Sequence, residues 1–304
     1  MSIEVCFSSD DNYVQHLTVA LASILYHKNT SDMLSVSVLD GGIKENHKRL
    51  LQDFVLQKGG SIRFLPVPDA AFADAPIQTQ ADKQTHISKA AYYRLLLADL
   101  LPDVDKVIYL DCDLICRSSL AELYARNMEN DWIQGVVDID EERHTRRLGL
   151  ERYVCSGVLL LNLRAWREHH VQQRCLAFLR DHADQIVLHD QDVLNVVCQE
   201  HLSYLDKTWD AQACETRQGR LSGFNAVART ASIVHFIGER KPWNPGCRHP
   251  YKKEYFRYLA LTPFRDFVQV HRRNCLRYLL WHTKQSHGRK RWYLLGIRIW
   301  QKRL

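Results

Sequence analysis

The stretch Lys106-Val-Ile-Tyr-Leu-Asp111-Cys-Asp113-Leu-Ile-Cys116 decides how the fold is read. An apolar run with the character of a buried strand stops there on two acids one residue apart. Strand side chains alternate, so a strictly extended Asp-x-Asp sends both carboxylates to one face, as a pair of hard oxygen ligands suited to a divalent cation. The triplet alone does not discriminate, because Asp103-Val-Asp105, Asp138-Ile-Asp140 and Asp190-Gln-Asp192 share it. Position separates them: only Asp111-Cys-Asp113 closes a long apolar strand, and open α/β sheets bind ligands outside the carboxyl ends of their strands.

Around that strand the chain alternates strand and helix patterns. Ile3 to Phe7 has strand character and runs into the polar turn Ser8-Ser-Asp10-Asp-Asn12-Tyr13, followed by an apolar helical stretch from Leu17 to Leu25. Strand, polar turn and helix open a nucleotide-binding βα unit, but no Gly-x-Gly-x-x-Gly or Walker pattern is present. Asp10 and Asn12 are placed to hydrogen-bond a base and Tyr13 to stack on it; the alternative is a capping cluster for the helix. Leu34 to Leu39 and Ser61 to Leu65 read as further strands, residues 66–83 as a connector, and Ser88 to Leu101 as a helix carrying Arg94 and closed by Pro102. His86 precedes that helix. Trp132 to Val137 is a strand ending on Asp138, residues 139–152 read as a charged mobile loop, and Cys155 to Asn162 is a buried strand followed by helix from Leu163 to Arg180. Asp190 and Asp192 fall in the first turn of a helix, where capping alone accounts for acids. A short strand, Ala231 to Gly238, ends in His235 and Gly238, ahead of Lys241 and Trp243.

With 304 residues and 46% hydrophobic content, the chain supports one α/β domain with an appendage. Its nine cysteines are scattered without a C-x-x-C pair and are expected to be reduced thiols of a cytoplasmic protein. The N-terminus lacks the basic n-region of an export signal, and no apolar run approaches the roughly 18 residues of a membrane span. Residues 271–304 hold ten Lys/Arg and no acid, leaving 31 Lys/Arg against 35 Asp/Glu in the body. This division points to an anionic partner for the tail. The body has no nucleic-acid motif, so the expected partner is a membrane surface and not nucleic acid.

Taken in order, Ser9-Asp-Asp-Asn-Tyr13, His86-Ile-Ser with Tyr92-Tyr-Arg94, Tyr109-Leu-Asp-Cys-Asp113, Ser156-Gly-Val-Leu-Leu-Leu-Asn162, Asp190-Gln-Asp192 and His235-Phe-Ile-Gly-Glu-Arg-Lys-Pro-Trp243 resemble the family 8 glycosyltransferases. The pieces span residues 8–243. Within the family they are most similar to bacterial lipopolysaccharide and lipooligosaccharide galactosyl- and glucosyltransferases. The resemblance implies a Rossmann-like GT-A catalytic domain with a mixed central sheet over residues 1–245, and a small, basic, mostly helical region over 246–304. It implies a retaining, Mn2+-dependent hexosyltransferase that uses a UDP-sugar and a core oligosaccharide acceptor. Ser8, Asp10, Asn12 and Tyr13 would meet the uridine, and Asp111, Asp113 and His235 the metal. Cys112 would lie against the nucleotide, and Gly238 and Lys241 would hold the pyrophosphate. Arg94, Asp111, Ser156, Gly157, Asp190 and Gln191 would surround the donor sugar, the last two nearest the chemistry, with Asp138 and His86 toward the acceptor.

Elementary chemistry agrees with that reading. Cleaving the sugar–phosphate bond leaves charge on the diphosphate, which fixed positive charge in a dry pocket stabilises. Two carboxylates and an imidazole suit Mn2+ better than Mg2+. The resemblance would set Gln191 beside the anomeric carbon, but an amide oxygen is a poor nucleophile, so attack on the leaving-group face is preferred, with Asp190 as the alternative nucleophile. Family members commonly carry Asn where this chain has Cys155, a weaker hydrogen-bonding group that leaves the donor sugar open among glucose, galactose and N-acetylglucosamine. A non-catalytic nucleotide-sugar-binding protein is the alternative from another class. In the tail, a helix after Gly288 would align Trp292, Leu295 and Ile299 in an apolar stripe flanked by cations, expected to lie on the inner face of the cytoplasmic membrane near a lipid-anchored acceptor.

Overall fold

The computed structural model describes residues 2–68, 72, 89–215, 221–222, 229–286 and 289–303. His86 lies outside the described residues. The strands β1 (Ser2–Ser9), β2 (Met33–Asp40) and β3 (Gly60–Pro66) run parallel, connected through helices α1 (Val14–His27) and α2 (Glu45–Gln57). On the other side of β1 lies β4 (Lys106–Leu110), also parallel, and next to it β7 (Val154–Asn162), antiparallel. With β6 (Ile133–Val137) and β8 (Leu202–Tyr204) they form a seven-stranded mixed sheet in the order β3-β2-β1-β4-β7-β6-β8. Strand alternation divides the interior between the two faces of this sheet. Ile108, Leu110, Val158 and Leu160 enter one apolar cluster with α1, whereas Val107, Tyr109, Leu159 and Leu161 enter the other with Trp166 and Leu194. A sheet covered on both faces needs the near-continuous apolar runs that these strands carry.

A second sheet makes the site. Its strands β5 (Leu114–Cys116), β9 (Ala211–Glu215), β10 (Leu221–Ser222) and β11 (Ile233–Phe236) are ordered β10-β9-β11-β5. The Lys106–Cys116 stretch is therefore not one strand. β4 ends at Leu110, the backbone bends through Asp111-Cys-Asp113, and β5 begins in the other sheet. The two acids converge because they sit at this crossover, where Asp111 N donates to Gly157 O of the first sheet (2.8 Å) and Asp113 O accepts from Phe236 N of the second (2.9 Å).

Three other local expectations change. Residues 89–96 form a 3-10 helix before a short α-turn at Leu97–Leu100; two carbonyls in it, Ala90 and Ala91, are taken by Ser8 Oγ and Arg94 Nε. The segment expected to be a mobile loop contains a helix, Glu141–Leu148, with acids in its first turn, Arg146 and Arg147 in its last, and left-handed Gly149 (φ 68°) as its C-terminal stop. Charges so placed complement the helix dipole, and they supply what the sequence lacks in apolar periodicity. The Leu163–Arg180 stretch is two helices divided at His170, whose φ is 53°.

Beyond the second sheet, the helices Lys252–Leu259 and Phe267–Leu280 follow. The first shares the main core: Tyr255 and Tyr258 are buried, and their hydroxyls meet His16 Nδ1 at 2.7 Å and His27 Nε2 at 2.9 Å. The second is tied to the loop after β11, with His271 Nδ1 3.0 Å from Trp243 O. The helical stripe expected after Gly288 is not formed. The described residues from Trp281 on instead form a three-stranded antiparallel sheet of β12 (Trp281–Ser286), β13 (Arg289–Leu294) and β14 (Ile297–Arg303). Alternating aromatic and β-branched residues favour strands. Leu295 (φ 50°) and Gly296 (φ 79°) form the two-residue turn with positive φ at both positions that matches strand twist. Register puts Trp281, Trp292, Leu294, Ile297 and Trp300 on one face, together with Lys290 and Lys302. No helix among the described residues is long and apolar enough to cross a membrane.

A Cβ at Gly246 (φ 72°) would fall 2.5 Å from the Tyr278 ring, whereas Gly296 has open space around it. Left-handed backbone costs a side chain roughly 1–2 kcal/mol. Gly296→Ala is expected to lose that term alone, and Gly246→Ala more, read by calorimetry as a larger fall in Tm for the second variant.

Candidate active site

Asp111, Asp113 and His235 bring their ligand atoms within 4.8 Å of one another. His235 Nε2 is 3.3 Å from Asp113 Oδ1 and 3.9 Å from Asp111 Oδ2. The pairing of His235 with Leu114 across β11 and β5 sets this approach, since it lays the histidine beside the residue that follows Asp113. Gly157 completes it. A Cβ there would stand 2.1 Å from His235 Cε1, so the ring occupies space that any other residue would fill. The imidazole is buried, while the acids are partly open to solvent. Two carboxylate oxygens and one imidazole nitrogen on converging backbone fit a divalent cation.

The charges around the cluster hold one another in their ionised forms. Burial would lower the His235 pKa, but the carboxylates of Asp210 and Asp113 outweigh it and hold the ring well above its ordinary value. Burial likewise would raise Asp113, yet Lys241 and His235 keep its carboxyl far below the usual range. Lys241 Nζ lies 2.6 Å from Asp113 Oδ2 and donates to Phe236 O at 2.6 Å. Behind the ring, His235 Nδ1 is 3.1 Å from Asp210 Oδ1 and 3.9 Å from Cys155 Sγ. Cys155, which stands where family members commonly carry Asn, is therefore buried against the histidine.

Arg94 ties this cluster to the neighbouring acids. Its guanidinium donates to Ser156 O and to Asp111 Oδ1 (2.9 Å), pairs with Asp190 Oδ2 (3.1 Å) and covers the Tyr109 ring at 4.1 Å. Burial pushes the Asp190 carboxyl up to about 6 against the pull of Arg94. Gln191 is fixed at both ends: its Oε1 accepts from Ser156 N at 2.9 Å, and its Nε2 donates to Asp138 Oδ2 at 3.0 Å. Asp138, raised by burial, also faces His144 at 3.9 Å. Asp192 belongs to the frame: one oxygen accepts from Arg147 and Tyr153, the other from the Val187 and Leu188 amides.

The β1 end lies alongside. Ser8 Oγ donates to Ala90 O (2.7 Å), and Cys112 Sγ reaches Ser8 O at 3.2 Å, linking the first turn to the acid pair. Asp10 Oδ1 accepts from Tyr13 N at 3.0 Å, and Asn12 Nδ2 lies 3.5 Å from Asp10 Oδ2. This is the turn-capping arrangement, and it leaves Tyr13 40% exposed, edge-on to Trp243 at 6.3 Å. Trp243 stacks on His16 at 3.6 Å, which brings the loop bearing Gly238 and Lys241 next to the turn bearing Asp10, Asn12 and Tyr13. Direct contacts thus join Ser8, Arg94, Asp111, Cys112, Asp113, Asp138, Ser156, Gly157, Asp190, Gln191, His235 and Lys241, with the Asp10–Tyr13 turn alongside. Asp210 was not among the residues singled out from the sequence. Its only sequence signal is an acid immediately ahead of an apolar strand.

The mixed sheet and this cluster define a glycosyltransferase of the GT-A fold. Residues 4–247 match glycosyl transferase family 8, and the chain belongs to that family. It is similar to General stress protein A of Bacillus subtilis (strain 168), 31% identical over 84% of this chain and 92% of the relative. It is also similar to lipopolysaccharide glucosyltransferase WaaO of Escherichia coli (strain K12), 24% identical over 98% of this chain and 88% of the relative. Among solved structures, the galactosyltransferase LgtC in complex with donor and acceptor sugar analogues matches with a TM-score of 0.73 and 27% identity, covering 86% of this chain and 96% of that one.

Because Gly157 yields its space to His235, Gly157→Ala is expected to displace the ring and cut the affinity for Mn2+ at least tenfold, the low end for disturbing the support of a metal ligand. Calorimetric titration with Mn2+ checks this, and circular dichroism should show the fold retained.

Proposed function

We propose that the chain is a retaining hexosyltransferase that moves glucose or galactose from a UDP-sugar to a lipopolysaccharide or lipooligosaccharide core oligosaccharide, with Mn2+ held by Asp111, Asp113 and His235. The observation that carries the reading is the convergence of those three residues beside Lys241. The relatives named for lipopolysaccharide synthesis, and the likeness to a galactosyltransferase, support the substrate class.

A bound divalent cation would act as a Lewis acid on the diphosphate leaving group. Lys241 adds its charge on the same side, and Gly238, left-handed at φ 77°, turns the backbone toward that position. Asp10, Asn12, Tyr13 and Ser8 take the uridine end, where Tyr13 is exposed enough to stack on a base. Arg94 holds Asp111 and Asp190 in fixed relation, so that Asp190 meets sugar hydroxyls from a rigid base. Gln191 directs its amide nitrogen to Asp138, and its oxygen is occupied by the Ser156 N–H. An oxygen so engaged is a poorer nucleophile still, which favours attack from the leaving-group face with the acceptor proton passing to the departing phosphate oxygen. Asp138 lies toward the acceptor.

The expected outcome of a UDP-sugar screen is Mn2+-dependent release of UDP, from UDP-glucose or UDP-galactose, that rises on adding deacylated lipooligosaccharide. Asp113→Ala should lose at least a hundredfold in kcat, since loss of one group stabilising developing charge typically costs about that much. Full activity of this variant in a chelator would refute the assignment.

We place the protein at the inner face of the cytoplasmic membrane through its third sheet. Trp281, Trp300, Leu294 and Ile297 are exposed on one face with Lys290 and Lys302 beside them, while register places Arg289, Arg291, Arg298 and Arg303 on the opposite face. Aromatic residues and cations suit a headgroup boundary, and each cation near an anionic surface contributes roughly 1 kcal/mol. Truncation after Leu280 should abolish sedimentation with phosphatidylglycerol vesicles while turnover of a soluble acceptor persists. Cutting at residue 271 should also lose turnover, because it removes the His271 contact to Trp243.

A further inference from the structure

The buried side of His235 carries a second contact with consequences for the metal site. Asp210 directly precedes β9, which runs parallel to β11 with Ala211 opposite Val234 and Gln212 opposite His235. The residue is 2% exposed, sets Oδ1 3.1 Å from His235 Nδ1, and has its buried Oδ2 without a hydrogen-bond partner among the described residues. Asp192 offers the contrast within the same chain. It is equally buried, and its two oxygens accept from Arg147, Tyr153 and two backbone amides. A carboxylate kept for folding is saturated in this way, because a buried unpaired oxygen is costly. Among the described residues the Asp210 side chain has one hydrogen-bond partner, and it is an imidazole.

That contact determines what the ring can offer. An ionised carboxylate only accepts hydrogen bonds, so Nδ1 must keep its proton and Nε2 is the nitrogen left for a cation. Nε2 is the atom that faces Asp113 and Asp111. The other neighbour of Nδ1, the Cys155 thiol at 3.9 Å, is too weak a partner to choose between tautomers. Gly157 admits the ring and Asp210 orients it.

We propose that Asp210 is the positioning residue of the divalent-cation site: through His235 Nδ1–H it fixes the tautomer and tilt that aim Nε2 at the Asp111–Asp113 pair. The inference rests on the reading of Asp111, Asp113 and His235 as a metal site. Carboxylates that orient a metal-bound histidine typically account for 10–100-fold in metal affinity.

The test is a titration of Mn2+ alone into nucleotide-free wild type, Asp210→Asn, His235→Ala and the double variant, with free Mn2+ followed by electron paramagnetic resonance. Asp210→Asn should weaken binding about 10–100-fold, the range seen when such a carboxylate is lost, with kcat at saturating Mn2+ near the wild-type value. The double variant should bind no more weakly than His235→Ala, because Asp210 acts only through that ring. Affinity of Asp210→Asn within twofold of wild type would overturn the proposal, as would an equal loss from Asp210→Asn in the His235→Ala background. Should the asparagine variant fail to fold, Asp210→Ser enters the same cycle with the same criteria. A wild type that binds no Mn2+, or a His235→Ala variant that binds as well as wild type, instead refutes the metal reading itself, and does so before Asp210 is touched.

Discussion

The buried Arg94 guanidinium is the interaction on which the site depends. A charge taken out of water must be paired and hydrogen-bonded or it costs several kcal/mol. Here it meets Asp111 from the end of β4, Asp190 from the start of a helix, and the Ser156 carbonyl from β7. Three elements far apart in sequence are thereby fixed to one planar group. The Tyr109 ring beneath it supplies a face that favours a cation and excludes water. Removing the arginine would take from Asp190, already raised to about 6 by burial, the stronger of the two charges that favour its ionised form, the other being His189.

The second constraint is the junction of the two sheets. One strand would have placed Asp111 and Asp113 on the same face of a flat surface, several ångströms from anything in β11. The bend at Cys112 instead passes the chain from one sheet to the next, and Asp113 meets β11 through the Phe236 amide. The histidine then approaches across hydrogen-bonded strands, through space left by Gly157. Rigid backbone on every side holds the donor atoms, which is what a site built for one coordination geometry needs.

Much of this was legible in the sequence, for reasons that can be named. Apolar strands, polar turns after them and the order of the motif pieces carried the mixed α/β core, the family and the region of the site, since periodicity and chemistry are local properties. The bend at Asp111–Asp113 was not legible, because Leu114-Ile-Cys116 is as apolar as the strand before it and the change of sheet leaves no mark. Nor was the Glu141–Leu148 helix, whose stability comes from charges at its ends and not from an apolar stripe. The tail misled because Trp292, Leu295 and Ile299 fit a helical spacing, while the turn at Leu295-Gly296 favours a hairpin. Asp210 escaped since its meaning lies wholly in a parallel neighbour more than twenty residues away.

The third sheet packs chiefly on the Phe267–Leu280 helix, and that helix touches the loop around Trp243 through His271 and Tyr278. The two pieces therefore face different demands during divergence. Substitutions on the exposed strands meet only the outside world and can drift to suit a new surface, whereas the inner side of the helix is answerable to a loop that borders the chemistry. A lineage can rework this outer surface without disturbing the loop that carries Lys241.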